Sequence, residues 1–331
     1  MTLFKQVVFP NPGMITVSPD GRFFAVLEQS HKELAIFNVT TSQIAKVPSP
    51  TGRPMEDRWL PDSSGILAWT MNPDGTQGGL VMIDSDGHTS AEDLLGPDAA
   101  LSPDGKWLAA THLTPTGSDS ILVLERHGSV GRAVVNGPVR LLGWLANMII
   151  YTDDVNLYAI APAGDPPLRL AAVPFGVQLA EPEFGPSTSP DGQVMLVRKN
   201  HQGYLGLVNN AIVALPLSVV TGRSTVYWVG GHEALGMSAT GQILSVDLAT
   251  QKVTKQAPAR VPPESAYIEA LSGPWLEWAS LSDNHAHVTN VTTGTDEDLG
   301  LKPEPGVVLS MNDGRFLLAA SNGDAFLFSP H

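Results

Sequence analysis

The chain has 331 residues, 43% of them hydrophobic, with 33 acidic against 19 basic side chains for a net charge of −14. Such a chain is long enough to bury a substantial core. It contains no cysteine, which excludes disulfides, thiolate metal sites and cysteine nucleophiles. The acidic balance, with its basic residues scattered, argues against nucleic acid or an anionic membrane surface as partner.

Thirty-two glycines and 27 prolines suit a chain made of many turns. No amphipathic stretch of helical length stands out, so the expected class is all-β. The dominant signal is Ser18-Pro19-Asp20-Gly21, which returns as Ser102-Pro103-Asp104-Gly105 and Ser189-Pro190-Asp191-Gly192. Pro fixes φ, Asp bonds back to nearby amides and Gly accepts a positive φ, so each copy reads as a tight hairpin turn. Looser turns extend the series, giving equivalent positions at Asp20, Asp62, Asp104, Asn147, Asp191, Gly231, Gly273 and Asp313. The spacings of 42, 42, 43, 44, 40, 42 and 40 residues mark a repeat fold of about 41 residues per unit.

Each unit reads as strand A, the turn, strand B, a loop, strand C, a second turn and strand D. In chain order the first unit predicts strands at 14–17, 22–28, 33–39 and 43–47, and the second at 58–60, 66–71, 79–83 and 91–95. The third follows at 99–101, 106–112, 120–125 and 131–135, and the fourth, without Pro-Asp-Gly, at 139–144, 148–152, 156–160 and 168–172. The fifth offers 193–199, 204–208 and 211–217 after its turn. The sixth offers 225–229, 233–238, 242–247 and 252–256, and the seventh 267–271, 275–281, 285–291 and 297–301. The eighth supplies only 306–310, 315–320 and 325–328, whereas Leu3–Phe9 is an apolar strand without a unit. A ring cannot close with unpaired edges, so Leu3–Phe9 is expected beside 325–328. The expectation is a single β-propeller domain over 1–331, most readily eight-bladed with seven as the alternative. Its blades are near 13–50, 54–97, 98–138, 139–176, 181–222, 223–262, 265–304, and 305–331 plus 2–10.

This unit resembles the TolB-like, or PD40, propeller repeat, a WD40-like family. Residues 18–21, 102–105 and 189–192 carry the likeness most clearly. The polar ends of the third strands, Asn38, Asp84, Glu125, Asp247 and Asn290, match the position where that family often has Asp before a hairpin. The resemblance implies a propeller and leaves activity open, because propellers serve as scaffolds, sensors and enzymes. The Gly-His…Trp-Asp pairing of true WD40 repeats is absent, and residues 1–331 hold no hydrolase motif from which a peptidase activity would be expected.

Hydrolase, zincin, P-loop and dinucleotide motifs are missing. His232-Glu233 lacks the second histidine of a zinc helix and lies in a Gly-rich hairpin. In a propeller the D–A and B–C loops share one face, commonly the ligand face. His31, His112, His201 and His285, with His287 beside it, fall at B–C positions, and some PD40-type sugar-acid lyases bind a metal through such histidines. Acidic residues gather where strands A begin: Glu56, Asp57, Asp98, Glu181, Glu183, Glu264, Glu269 and Glu304. A ring of them at the channel mouth would suit a divalent cation or a basic peptide. Arg58, Arg140 and Arg223 hold equivalent places and either pair with these acids or grip an anion. Asp84-Ser85-Asp86-Gly87 and Asp153-Asp154-Val155-Asn156 resemble fragments of calcium loops, but turns use the same residue types. The seven tryptophans are expected in packing between blades. Asn38-Val39-Thr40 and Asn290-Val291-Thr292 are glycosylation acceptors in a eukaryotic secretory setting only.

The expected function is non-catalytic binding, sensing or scaffolding of a protein or peptide by a monomer without membrane insertion or cofactor. The alternative is an enzyme or small-ligand binder for a sugar acid or similar substrate, in its metal-dependent form with a divalent cation at the same face. The N-terminus lacks a signal-peptide layout, and apolar runs are too short to span a bilayer; cytoplasmic, periplasmic and extracellular settings all stay open. The Pro-Asp-Gly motif itself is expected to shape turns and nothing more, on the face opposite the ligand loops.

Overall fold

A Ser-Pro-Asp-Gly turn reverses the chain because its own side chains close it. In the computed structural model, Ser18 Oγ donates to Asp20 Oδ1 at 2.8 Å and accepts the Phe23 amide at 3.0 Å. Asp20 Oδ1 also accepts the Arg22 amide at 3.0 Å, and Gly21 sits at φ 69°. The same wiring recurs at Ser102–Trp107 and Ser189–Val194, with Gly105 at φ 68° and Gly192 at φ 69°. The three serines are buried.

The structure describes residues 2–8, 12–18, 20–28, 33–48, 53–60, 63–71, 77–92, 99–113, 119–125, 132–173, 188–189, 191–199, 204–215, 227–237, 240, 242–260, 266–272, 274–280, 285–299, 308–310, 315–319 and 324–329. Described elements are all strands, arranged in eight antiparallel sheets. The chain divides into two compact units, Leu94–Glu264 and the joined segments Met1–Asp93 and Ser265–His331.

The discontinuous unit opens with β1 (Thr2–Val8), followed by the first sheet, β2 (Pro12–Val17), β3 (Phe23–Glu28), β4 (Glu33–Asn38) and β5 (Ile44–Pro48). The second sheet is β6 (Arg53–Trp59), β7 (Gly65–Met71), β8 (Gln77–Asp84) and β9 (Thr89–Glu92). The continuous unit holds the third sheet, β10 (Ala99–Leu101), β11 (Trp107–Leu113), β12 (Asp119–Glu125) and β13 (Arg132–Asn136), and the fourth, β14 (Arg140–Leu145), β15 (Met148–Thr152), β16 (Asn156–Ile160) and β17 (Leu168–Ala172). Its fifth sheet is β18 (Val194–Lys199), β19 (Tyr204–Val208) and β20 (Ala211–Ala214), with Thr188 bridging to Met195 where an entering strand is expected. Its sixth is β21 (Tyr227–Gly230), β22 (Glu233–Met237), β23 (Gln242–Asp247) and β24 (Lys252–Arg260). The discontinuous unit resumes with the seventh sheet, β25 (Ala266–Ser272), β26 (Trp275–Ser280), β27 (Ala286–Asn290) and β28 (Asp296–Asp298). It ends with β29 (Val308–Ser310), β30 (Phe316–Ala319) and β31 (Asp324–Ser329).

The eighth sheet has the order β1-β31-β30-β29, with Lys5 opposite Leu327 and Val8 opposite Asp324. The N-terminal strand therefore fills the outer slot of the last sheet, as a closed set of edges requires. Several expected strand bounds differ, among them 91–95, 297–301 and 306–310, which are Thr89–Glu92, Asp296–Asp298 and Val308–Ser310, and three others differ for clear local reasons. Strand β6 starts at Arg53 rather than Arg58, its pairing carried past a bulge between Pro54 and Glu56. Strand β20 stops at Ala214, just before Pro216, which has no amide to offer a ladder. Strand β24 continues to Arg260 through Pro258, because it is an edge strand with a register shift opposite Gln242–Leu244.

Apolar faces of successive sheets bury each other within each unit. Ala25, Leu27, Leu34 and Ile36 of the first sheet pack on Ile66, Ala68, Val81 and Ile83 of the second. Ile121 and Val123 of the third sheet meet Leu141, Ile149 and Tyr151 of the fourth. The other face of the fourth, with Ile150 and Leu157, meets Met195 and Leu207 of the fifth. Val194, Leu196 and Val208 then meet Ala234, Leu244 and Val246 of the sixth. Each fully buried Ile or Leu contributes about 1.5–3 kcal/mol. Trp144 serves this packing as expected, its Nε1–H donating to Ala100 O of the third sheet at 2.8 Å.

Candidate functional site

Each sheet has two unlike ends. At the end carrying the A–B and C–D turns, polar side chains are engaged in holding the turns. Asn38 Oδ1 accepts the amides of Thr40 and Thr41, Asn290 Oδ1 those of Thr292 and Thr293, and Asp247 Oδ1 that of Thr250. Asp84 Oδ1 accepts the amides of Asp86 and His88, with Asp84 Oδ2 2.9 Å from His88 Nδ1. These Asx-type caps explain the polar residue that ends the third strand in the first, second, sixth and seventh sheets. They also settle Asp84–Gly87 as a turn, and give both Asn-x-Thr side chains a structural task.

The Pro-Asp-Gly turns do more than the sequence suggested. Asp20 N–H donates to Ser63 Oγ, in the next A–B turn, at 3.0 Å. Asp191 Oδ2 lies 2.6 Å from His232 Nδ1, also in the next A–B turn, and His232 Nε2 lies 3.3 Å from Asp247 Oδ1. The motif thus joins neighbouring sheets as well as reversing the chain. The Asp191 bond first, and Asp247 after it, raise His232 above its ordinary 6.5 against the opposing effect of burial. Burial opposes ionisation of Asp191 too, but the Ser189 hydroxyl, His232 and the Gln193 amide bring it below 3.8.

The opposite end, where B–C turns and D–A connections lie, is described best in the fourth sheet. Asp153 Oδ1 accepts the amides of Val155 and Asn156 at 3.0 and 2.7 Å, and Tyr158 OH donates to Asp153 Oδ2 at 3.0 Å. Burial opposes ionisation of Asp153, but those amides and the phenol hold it below 3.8. Tyr151 stacks on Tyr158 with centroids 5.2 Å apart, and burial, then Tyr158 and Asp153, push its phenol above 10.0. Arg169 Nε donates to Asn156 Oδ1 at 2.7 Å, and Arg140 Nη2 reaches Asp154 Oδ1 at 3.4 Å. Asp154 adopts φ 67° and Val155, at the tip, is 65% exposed. The Asp153–Asn156 segment is therefore an Asx turn, and it presents two acids, two arginines and an apolar tip on a fixed frame.

The sequence-derived candidates distribute unevenly. Arg140 opens β14 and pairs with Asp154 of the B–C turn, an acid outside the strand-A set. Glu56, Asp57 and Arg58 lie inside β6, opposite Trp69, Ala68 and Leu67, rather than at its entry. His112 is within β11, opposite Ser120. Asp98, Glu181, Glu183, Arg223, His201, His31, Glu264 and Glu304 fall outside the described residues. His285 precedes β27, its Nδ1 3.0 Å from Asp298 Oδ2. Two residues on, His287 Nδ1 faces Asp296 Oδ2 at 3.1 Å and its ring stacks on Trp278 at 4.3 Å. Trp278 Nε1–H donates to Thr289 Oγ1, which donates to Asp296 Oδ1 at 2.6 Å, closing a ring of contacts across three strands. Among the described residues no cluster of three metal-ligating side chains converges, and no helix is long and apolar enough to cross a membrane.

No protein-family model and no curated protein matches the chain. Among solved structures it is similar to the C-terminal WD40 domain of Sif2, at 11% identity and TM-score 0.65, covering 98% of this chain and 97% of that one. Saccharomyces cerevisiae Sqt1 is similar at 10% identity and TM-score 0.60, covering 99% of both. The dihydro-heme d1 dehydrogenase NirN, in complex with DHE, is similar at 17% identity and TM-score 0.59, covering 95% of this chain and 73% of that one. At such identities the likeness concerns backbone architecture alone. Meandering sheets, a last sheet completed by the first strand, and these neighbours make the chain an all-β protein of the β-propeller fold.

Proposed function

We propose that this chain is a non-catalytic binding or scaffold propeller that engages a protein or peptide through the B–C and D–A ends of its sheets. The observation that carries this reading is the unlikeness of the two ends. Turn-forming side chains at the A–B and C–D end bond to their own or the next turn. At the other end the fourth sheet exposes Val155 and the Arg140–Asp154 pair, which close no turn of the repeat. Loops on a rigid scaffold are where binding residues concentrate. In the fourth sheet, Arg140, Asp154, Val155 and Arg169 on a hydrogen-bonded frame support this reading. WD40 neighbours in the structural comparison agree with a scaffold use of the fold.

Selection of a displayed peptide library on the purified chain tests this. Binders recovered should lose affinity with Arg140→Ala/Asp154→Ala and keep it with Thr41→Ala at a C–D turn. Affinity sensitive to the turn change and indifferent to the loop change would overturn the assignment of the face. The metal-dependent enzyme alternative shares this end of the sheets and is separated from it by metal analysis of the purified protein with a chelator melt. Stoichiometric metal whose removal lowers the melting temperature would favour that alternative.

A further inference from the structure

We propose that His232 is a pH-operated latch between the fifth and sixth sheets, joining the Asp191 turn to the end of β23 only while its imidazole carries both protons. The geometry requires this. Nδ1 faces the Asp191 carboxylate at 2.6 Å, and Nε2 faces the Asp247 carboxylate at 3.3 Å. A neutral imidazole donates from one nitrogen alone, so its other lone pair would confront a carboxylate. Only imidazolium satisfies both sides. The three side chains are a quarter to a third exposed, so solvent protons reach the ring and the pair is only partly screened.

Other charged groups near the ring leave its balance to the two aspartates. Glu233, the next residue, accepts hydrogen bonds from Ser245 and Thr254 through Oε1. Lys252 stands opposite Asp247 in the β23–β24 register. On the Asp191 turn, Ser189 and the Gln193 amide bond the same carboxylate through Oδ1. The equivalent junction of the first and second sheets is made by Ser63, which does not titrate. The fifth–sixth junction is thus the pH-sensitive counterpart of a pH-neutral one.

The sign follows from the two directions of shift. His232 is raised above 6.5, so its contribution is complete below 6.5 and is lost as pH rises through the folded value. Asp191 and Asp247 are lowered below 3.8, so theirs is complete above 3.8 and is lost on further acidification. The latch is closed between about pH 4 and 6.5 and opens toward alkaline pH.

The test combines NMR titration of the His232 ring in the whole chain with amide exchange at Leu248, whose N–H donates to His232 O at 3.1 Å. The ring should titrate above 6.5. Protection of Leu248 should fall roughly fivefold more between pH 6 and 8.5 in the wild type than in His232→Asn, after correction for intrinsic exchange. A ring titrating at or below 6.5, or equal pH dependence in both proteins, would overturn the proposal. The ring titration needs no variant and decides the matter even where His232→Asn folds poorly.

Discussion

The two Pro-Asp-Gly turns of the continuous unit offer a comparable pair, because they share one wiring through Oδ1 and differ at Oδ2, where Asp104 meets the exposed Lys106 ammonium at 3.5 Å and Asp191 meets His232 at 2.6 Å. Asp104→Ala removes the acceptor of the buried Ser102 hydroxyl at 2.6 Å and of the exposed Lys106 amide at 3.1 Å. The amide recovers water, whereas the hydroxyl loses a charge-assisted bond, so the expected loss is about 1–1.5 kcal/mol. Asp191→Ala makes the same two losses at Ser189 and Gln193. It also strips His232 of its shorter carboxylate contact, 2.6 Å with side chains 33% and 24% exposed. Discounted for solvent, that adds about 1 kcal/mol, for a total near 2–2.5 kcal/mol at pH 6. Both residues belong to one compact unit, so urea unfolding followed by tryptophan fluorescence measures them against the same reference. Slopes should match the wild type, which makes midpoints comparable. At pH 8.5 a neutral His232 still donates one bond, and the gap between the variants should shrink to about half. Equal destabilisation at pH 6, or a gap indifferent to pH, would refute the reasoning.

Other substitutions check other parts of the account. Gly192→Ala at φ +69° would bring a Cβ within 3.0 Å of the Ala146 backbone, and should lower stability by about 2 kcal/mol or more in urea melts. Gly164→Ala, at φ +82° with its nearest neighbour at 3.7 Å, should lower it by only about 1 kcal/mol. Thr289→Val keeps the shape of a buried side chain but leaves Trp278 Nε1–H without its acceptor, an expected loss of about 2 kcal/mol. Adding Trp278→Phe should cost less than its own single effect, because the orphaned donor is then gone; strict additivity in the double-mutant cycle would contradict the coupling.

Strand positions were legible wherever turn chemistry was local. Even the fourth sheet, without Pro-Asp-Gly, matches its expected strands at 148–152, 156–160 and 168–172. Its turns are closed by neighbours, Asp153 bonding Val155 and Asn156. Bounds moved where an irregular pairing carries a strand past its expected end, as at the bulge of β6 against β7 and the register shift of β24 against β23. The His232 bridge escaped because its partner is 41 residues upstream. The signal was nonetheless in the sequence, since alignment on the repeat places Asp191 and Gly231-His232 at successive A–B turns. Reading each turn alone hid what two turns do together. Loop position alone points to B–C histidines, whereas His88 and His232 lie in turns at the other end and His287 within a strand.

The same division explains why motif searches stay silent about activity. Residues that define the repeat are those whose side chains satisfy backbone groups two to five positions away, and these all sit at the A–B and C–D ends. Once those turns are closed and the apolar faces buried, the B–C and D–A segments carry no further duty to the repeat. They are free to differ in length and charge from one sheet to the next. Specificity in such a protein therefore resides in residues that the repeat does not dictate. A ligand site built from them is recognisable only as a surface, by which side chains the scaffold holds side by side, and not as a string.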